Sequence, residues 1–553
     1  MSHHGVRRGL LLCLAAATAA CFGGDSAPDR RALIDSRDNY DPRSLDPALS
    51  TDVPTGRAVG YVFDGLTRFT PAAQVEPGLA ERWDVSTDGR TYTFHLRRNV
   101  HFHDGSVFGA HNVVASWERA LDPGTKSSAS EFLYPIKGAR DFHTQKAKTI
   151  SGISARDDST VVVTLDEPLT AFLKLLAMPV ASIVPQDIPA NFGERPIGTG
   201  PWRLIDWRHD DYLLFARNDQ YFLGAPKAES LQARIIAEPS TSVAEFESGN
   251  VDVLQIPAGQ TREWEDDESR RPMLSSTPAL ELVYVGINTT RGPLVDVRVR
   301  QAINYAVDIN RIIERLVAGR GTRAAGVIPP ALAGYDSTRR PYPFDPAKAK
   351  QLLAAAGHPN GIDVELWTSM TPIYVRIAET IQAYLNAVGI RTKVVQRESA
   401  ASRAAARKGE TDMILKDWYA DYPDAENFLY PLLYSANKGS GGNVSFYSNA
   451  SFDSTVIAAR RELNETRRAA LLRGADSIGF IDAPMMFLYF YNELYAVQPW
   501  VKGFRPPVIF NGQRWLDVSL SVEREARSAS VYSVGHAAPN AQRSTLDASR
   551  RAP

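Results

Sequence analysis

The stretch Lys416-Asp417-Trp418-Tyr419-Ala420-Asp421-Tyr422-Pro423-Asp424-Ala425-Glu426-Asn427-Phe428-Leu429-Tyr430 crowds rings and carboxylates around one proline. It follows Met413-Ile414-Leu415, a short apolar run that reads as a buried strand. Asp421 sits between Ala420 and Tyr422, just past that strand. A carboxylate placed there has two uses. It caps the turn that Tyr422-Pro423-Asp424 begins, or it receives a cation.

Other clusters offer less. In His101-Phe102-His103-Asp104 the two imidazoles alternate along a strand and share a face, the start of a metal pair. No third ligand is identifiable, and Asp104-Gly105 is accounted for as a turn, so the structural reading is preferred. Gly198-Thr199-Gly200-Pro201 and Gly439-Ser440-Gly441-Gly442 lack both a following Lys-Ser/Thr and dinucleotide spacing, so they read as turns. There is no Gly-x-Ser-x-Gly elbow and no defensible nucleophile–base pair. An enzyme reading therefore starts weak, and no resident cofactor or metal is expected.

The elements that must position Asp421 follow from periodicity. Trp83-Asp84-Val85 and Thr91 to Leu96 flank Ser86-Thr87-Asp88-Gly89, a hairpin signal. His103-Asp104-Gly105 is a second turn, leading to a helix through Val113, Val114 and Trp117. Strand Leu231–Ala237, helix Ser240–Glu247 and strand Val251–Leu254 then alternate. Asp345-Pro346 opens a helix that Gly357 closes. The alternating Ile362, Val364 and Leu366 make a strand. Ile377, Ile381, Tyr384, Leu385 and Val388 line one face of a helix ended by Gly389. Strand Ile390–Val395, helix Ser399–Arg407 and strand Asp412–Trp418 follow. Strand–helix–strand repetition predicts an α/β fold with parallel strands and right-handed crossovers. Ligands of open α/β sheets collect beyond the carboxyl ends of such strands, which is where Asp421 falls.

The chain of 553 residues has room for about three to four domain-sized units, and its 44% apolar content supports a sizeable core. The 62 basic and 63 acidic residues nearly cancel, so no basic excess points to nucleic acid. At the N-terminus, Arg7 and Arg8 precede the apolar run Gly9 to Ala20, which is too short to span a bilayer. The run ends in Thr18-Ala19-Ala20-Cys21, similar to a bacterial lipobox, and Phe22 to Ser26 reads as a flexible tether. Cleavage before Cys21 removes Cys13 and two positive charges, taking the formal charge from −1 to −3. The remaining cysteine would be lipidated, leaving none for a disulfide, and two acyl chains would hold the chain on a membrane surface. Residues 526–553, rich in Ala, Ser and Arg, are expected to be disordered.

Several segments together resemble the family 5 extracellular solute-binding proteins. They are Ser44-Leu45-Asp46-Pro47, Phe63-Asp64-Gly65-Leu66, Pro77 to Trp83, Thr93 to Arg97, Phe102 to Gly105, Ser116 to Pro123, Gly198 to Trp202 and Asp296 to Ala306. The Ser116-Trp117-x-Arg119 run and Trp418-x-Ala420-Asp421 are closest to the oligopeptide-binding branch. One departure is Ala110-His111-Asn112, where the family usually has Ala-Glu-Asp before a helix.

The resemblance implies a two-lobed periplasmic-binding clamp with an extra subdomain on lobe I. The expected division is 1–20 signal peptide, 21–31 tether, 32–60 with 191–282 and 499–525 as the lobe I core, 61–190 as the extra subdomain, 283–498 as lobe II, and 526–553 as tail. Crossings between lobes are expected near Glu281–Asn288 and Tyr495–Pro499. The implied function is capture of short peptides for an ABC importer, with permease and ATPase partners, by a monomer held outside the cytoplasm through Cys21. Within that reading Asp421 takes the ligand's ammonium and Trp418 walls a side-chain pocket. Val53 lends its backbone with Thr51 beside it, and Tyr491 and Tyr489 are weaker aromatic candidates. The ligand's carboxylate partner stays open, Arg403, Arg407, Lys408 and Lys416 reading as solvated charges. A nickel chelate, haem or an oligosaccharide are alternative ligands, and a peptide-sensing lipoprotein an alternative role.

Overall fold

The computed structural model describes residues 32–521. The leader, Cys21 with its expected lipidation, the tether and the 526–553 tail lie outside the described residues. The alternation of strands and helices read from the sequence builds one long mixed sheet of 11 strands among those residues. Its order from one edge is Ile390–Arg397, Ile362–Ser369, Met413–Tyr419, Leu274–Ile287, Met485–Val497, Val253–Gln255, Ala32–Asp38, Ser230–Ile235, Tyr212–Arg217 and Trp202–Arg208, with Gly321–Arg323 paired to Met485–Val497.

Parallel pairing occurs where helices intervene. Ile362–Ser369 runs parallel to Ile390–Arg397 and to Met413–Tyr419, and Ala32–Asp38 runs parallel to Ser230–Ile235. The helices Pro372–Ala387 and Ser399–Arg407 are the connections on the first side. Glu398 starts the second of them, its carboxylate accepting from the amides of Ala400 and Ala401 at 2.8 and 3.2 Å, which serves two orphan donors of the first turn.

Two long strands, Leu274–Ile287 and Met485–Val497, join the two lobes. They pair with each other along most of their length, from Leu274 opposite Ala496 to Gly286 opposite Met485. One end of Met485–Val497 pairs with Val253–Gln255, and the middle pairs with Gly321–Arg323. The ladder is interrupted between Pro278 and Leu282, where Pro278 removes a ladder donor. This irregularity precedes the Glu281–Asn288 region, which is already paired residue for residue with Met413–Tyr419 up to Ile287.

A separate antiparallel sheet, ordered Ala80–Val85, Thr91–Leu96, Thr160–Thr164, Ile153–Asp157, forms the heart of the 61–190 segment. The predicted hairpin is its first pair, with Gly89 at φ +68° in the turn, a conformation that favours glycine. The helix Ala110–Leu121 packs on it. The unusual Asn112 caps that helix, its Oδ1 accepting from the Gly109 amide at 2.9 Å. The segment is tied to the rest by Arg119 against Asp46, by the Asn511 amide on the Ala177 carbonyl at 3.0 Å, and by the Val508 amide on the Pro71 carbonyl at 2.9 Å.

The two histidines are not a metal pair. His103 Nε2 donates to the Gly200 carbonyl at 2.9 Å and its Nδ1 accepts from the Gly198 amide at 3.4 Å, whereas His101 stays exposed. That turn is packed against the backbone of Tyr61 and Val62.

Candidate ligand-binding cleft

Strand Met413–Tyr419 ends at the boundary between the lobes, and the chain turns there through Ala420 to Asp424. The Ala420 amide donates to Leu280 O at 2.8 Å, which extends the ladder one residue and aims Asp421 past it. Asn427, near the start of the helix Glu426–Leu433, then holds the loop. Its Oδ1 accepts from the Asp421 amide at 2.8 Å, its Nδ2 donates to Asp421 Oδ2 at 3.1 Å, and its carbonyl accepts from Trp418 Nε1 at 2.8 Å. The turn-capping reading therefore accounts for one carboxylate oxygen. Oδ1 of Asp421 has no hydrogen-bond partner among the described residues.

Asp421 lines a cavity of about 990 Å³ between the lobes. From one side it is lined by Thr51, Val53, Glu131 and Phe132, and from the other by Trp418, Asp421, Tyr430 and Arg407. Its size lies at the upper end of the ~300–1,000 Å³ range of small-molecule sites. Burial pushes the Asp421 carboxyl up to about 6, the Asn427 hydrogen bond opposing and the charge of Glu131 adding to it. A ligand cation would lift that penalty, because an opposite charge at close range favours the carboxylate.

The structure thus brings Thr51, Val53, Trp418 and Asp421 to one cavity and leaves Tyr491 and Tyr489 elsewhere. Leu282 pairs with Trp418 on one side and Phe490 on the other, so Tyr491, one residue on, faces the opposite side of the sheet. There its ring lies 4.8 Å from the Arg320 guanidinium carbon, and Tyr489 is fully buried. Alternation along a strand gave the two tyrosines a shared face but not which face it was. Val53 also differs from a strand-like backbone donor. It is the first residue of the helix Val53–Val62, capped by Asp52, whose carboxylate accepts from the Thr55 amide at 2.9 Å. Its carbonyl belongs to the helix ladder, so only its N–H is left for a ligand.

Two residues were not singled out from the sequence, and a third, Arg407, was named only as a solvated charge. Asn427 is a positioning group whose role depends on the fold of the loop. Glu131 comes from a distant segment. Arg407 is exposed, as a solvated charge would be, and it also lines the cavity and makes no ion pair among the described residues. Its place at the last turn of Ser399–Arg407, directly before the strand bearing Trp418, was the available signal. The cavity's other arginines are engaged: Arg460 with Glu426 and the Tyr430 ring, Arg461 with Glu167, and Arg140 over the Tyr134 ring.

Comparison with known proteins agrees with this geometry. Residues 74–440 match the family described as bacterial extracellular solute-binding proteins, family 5 middle. A protein named heme-binding protein A from Haemophilus influenzae is 32% identical over 530 residues, covering 89% of this chain and 96% of that protein. The dipeptide-binding protein of Escherichia coli is 31% identical over 489 residues, covering 84% and 90%. Among solved structures, the periplasmic binding protein DppA from Helicobacter pylori, in complex with the peptide STSA, superposes with a TM-score of 0.73 at 28% identity, covering 89% of this chain and 98% of that one. With the cavity held between two lobes joined by two long strands, the chain belongs to the bacterial extracellular solute-binding proteins of family 5.

Proposed function

We propose that this chain is the extracytoplasmic binding component of an ABC importer and that it captures short peptides in the inter-lobe cavity. The observation that carries the reading is the Asp421 carboxylate, fixed by Asn427 at the wall of the cavity. Two unit charges 4 Å apart attract by about 4 kcal/mol at an effective dielectric of 20, part of which desolvation removes. An α-ammonium is the chemistry such a site receives. Trp418 supplies ring surface for side chains, and the free Arg407 guanidinium is the candidate for the ligand's carboxylate. The relatives named for dipeptides and the neighbour solved with a tetrapeptide support the same class.

Haem is the second reading, because a relative is named for it. The cavity walls favour the peptide: no histidine or cysteine lines them. The remaining parts of the proposal are a monomer tethered through lipidated Cys21, the lobe division given above, and delivery to a permease and ATPase. No helix among the described residues is long and apolar enough to cross a membrane. The role is binding, without catalysis.

The deciding experiment is mass spectrometry of small molecules released by denaturing gently purified protein. A ladder of short peptides is expected. A Soret-absorbing species in stoichiometric amount, with no peptide, would overturn the assignment.

A further inference from the structure

The cavity has a second kind of contact at its rim. The short helix Phe172–Leu175, in the 61–190 segment, carries Lys174 across to the loop that follows Asp421. Lys174 Nζ lies 2.6 Å from Asp424 Oδ2 and 2.9 Å from the Pro423 carbonyl. On its own lobe Asp424 is already held by Arg468, with Nη1 at 3.0 Å and Nη2 at 2.8 Å, and its Oδ1 accepts from the Glu426 amide at 2.9 Å. The Asp424 side chain is 1% exposed and that of Lys174 is 28% exposed. Burial would raise the Asp424 carboxyl, but Lys174 and Arg468 outweigh it and hold the group well below the usual carboxylate range.

Neighbouring contacts cross the same gap. The Thr170 amide donates to the Arg460 carbonyl at 3.0 Å, and its hydroxyl donates to the Glu462 carbonyl at 2.7 Å. Arg461 Nε donates to Glu167 at 2.9 Å, and the Phe132 ring meets the Tyr422 ring edge-on at 6.3 Å. All of these join residues 132–174 to residues 422–462 beside the cavity.

We infer that Lys174 is a closure latch, a positioning residue whose bond to Asp424 and Pro423 holds the two lobes shut over the cavity. The asymmetry of the site is the reason. Opening the lobes leaves Asp424 with its Arg468 partner, so the fold of lobe II survives the loss. Opening leaves Lys174 with water. Lys174 therefore contributes to the closed arrangement and not to the folding of either part. Asp424 lies three residues from Asp421 in a loop pinned by Asn427, so seating a ligand cation on Asp421 and seating Lys174 on Asp424 order the same stretch of chain. The inference rests on the two-lobed clamp and is independent of which ligand fills it.

The test is a distance measurement by pulsed electron paramagnetic resonance. Spin labels go on cysteines introduced at Lys146 and Glu379, exposed positions on opposite sides of the cleft, with Cys13 and Cys21 replaced by serine. The full chain is stripped of ligand and measured alone and with Ala-Ala-Ala. In whichever condition the labelled protein populates the short distance, Lys174→Met should lower the closed-to-open ratio about tenfold, and Lys174→Arg should restore most of it. Raising NaCl to 0.5 M should move the parent toward Lys174→Met and move Lys174→Met less, through the Arg461–Glu167 pair that remains. The thermal unfolding midpoint should change little, which separates a latch from a folding defect. Superimposable distributions for the parent and Lys174→Met overturn the latch, as does a parent that is open in every condition. Failure of Ala-Ala-Ala to move either protein counts against the peptide reading, while the ligand-free distributions still decide the latch.

Discussion

Asn427 grips Asp421 from both ends, accepting from its amide at 2.8 Å and donating to its carboxylate Oδ2 at 3.1 Å. The same residue's carbonyl accepts from Trp418 Nε1. One side chain and one carbonyl therefore set the spacing between the charge and the ring that wall the cavity. The arrangement ties Asp421 Oδ2 to its own loop while the residue lines the cavity.

Removing that carboxylate should be costly to an amine ligand. Truncating one partner of a buried charge pair typically costs about 2–5 kcal/mol, or roughly 30- to several-thousand-fold in affinity. Asp421→Ala is expected to weaken peptide binding at least tenfold by calorimetry. N-acetylation of the peptide should cost a similar amount, and the two losses should not add, because they remove the same interaction. Unchanged affinity for the acetylated peptide would take Asp421 out of this role.

Acid should loosen the complex. The free Asp421 carboxyl sits at about 6, raised by burial and by Glu131, and only its ionised form attracts an ammonium. A bound ammonium lowers the carboxyl's pKa, so binding releases a proton at low pH. Affinity should be flat above about pH 7 and fall below about pH 6, by at most tenfold per pH unit for one site. Asp421→Asn should bind more weakly and lose the slope. Affinity that rises on acidification contradicts the assignment.

Positioning should matter separately from charge. In Asn427→Leu the Asp421 amide and Oδ2 lose their partners, and the Trp418 contact survives because it uses the backbone carbonyl. Peptide affinity should fall while the charge at Asp421 is retained. Loss of a hydrogen bond to a charged group is worth about 1.5–3 kcal/mol. An unaltered dissociation constant in Asn427→Leu would show that the clasp does not organise the site.

Much of this architecture was legible because periodicity is local. The bounds of Ser399–Arg407 and the start of Ile362–Ser369 follow from sequence pattern and stop signals, and the place of Asp421 after a strand is enough to put it at a cavity wall. What sequence could not give was pairing between distant segments. Tyr491 lies in an apolar-aromatic strand like a cleft residue, but the register opposite Leu282 turns it to the far face. Arg407 reads as one of several basic residues until the fold puts it on a cavity wall. Lys174 and Asp424 are 250 residues apart, and no local pattern connects them. His103 was correctly read as structural, although its partner, the Gly198–Gly200 turn, was visible only as a separate motif.

That histidine makes stability depend on pH. Burial lowers His103 from 6.5 to about 4, with the Gly200 carbonyl opposing the shift. Between those values the unfolded chain binds a proton that the folded chain does not. Stability is therefore fully present above about pH 6.5 and lost as pH falls toward 4, by about 3 kcal/mol from this group at most. Denaturant unfolding of His103→Gln should show a shallower loss across that window than the parent. Equal slopes would mean that other groups carry the acid sensitivity.

The turn that receives His103 should tolerate no side chain at Gly200. Its amide donates to Val62 O at 2.8 Å, and its carbonyl accepts from His103 Nε2 at 2.9 Å and Asn218 Nδ2 at 3.1 Å. A Cβ there would lie 2.5 Å from the Tyr61 carbonyl oxygen and 2.5 Å from the Val62 carbonyl carbon. Both obstacles are backbone within a helix, so they cannot rotate away as a flexible side chain would. Gly200→Ala is expected to destabilise the protein by about 1–3 kcal/mol, the usual range for overpacking, and to lower the unfolding midpoint. Gly259→Ala is the matched control, because a Cβ at that position meets no atom within 4 Å. If the two substitutions shift the midpoint equally, the close approach at Gly200 is not what the fold requires of that turn.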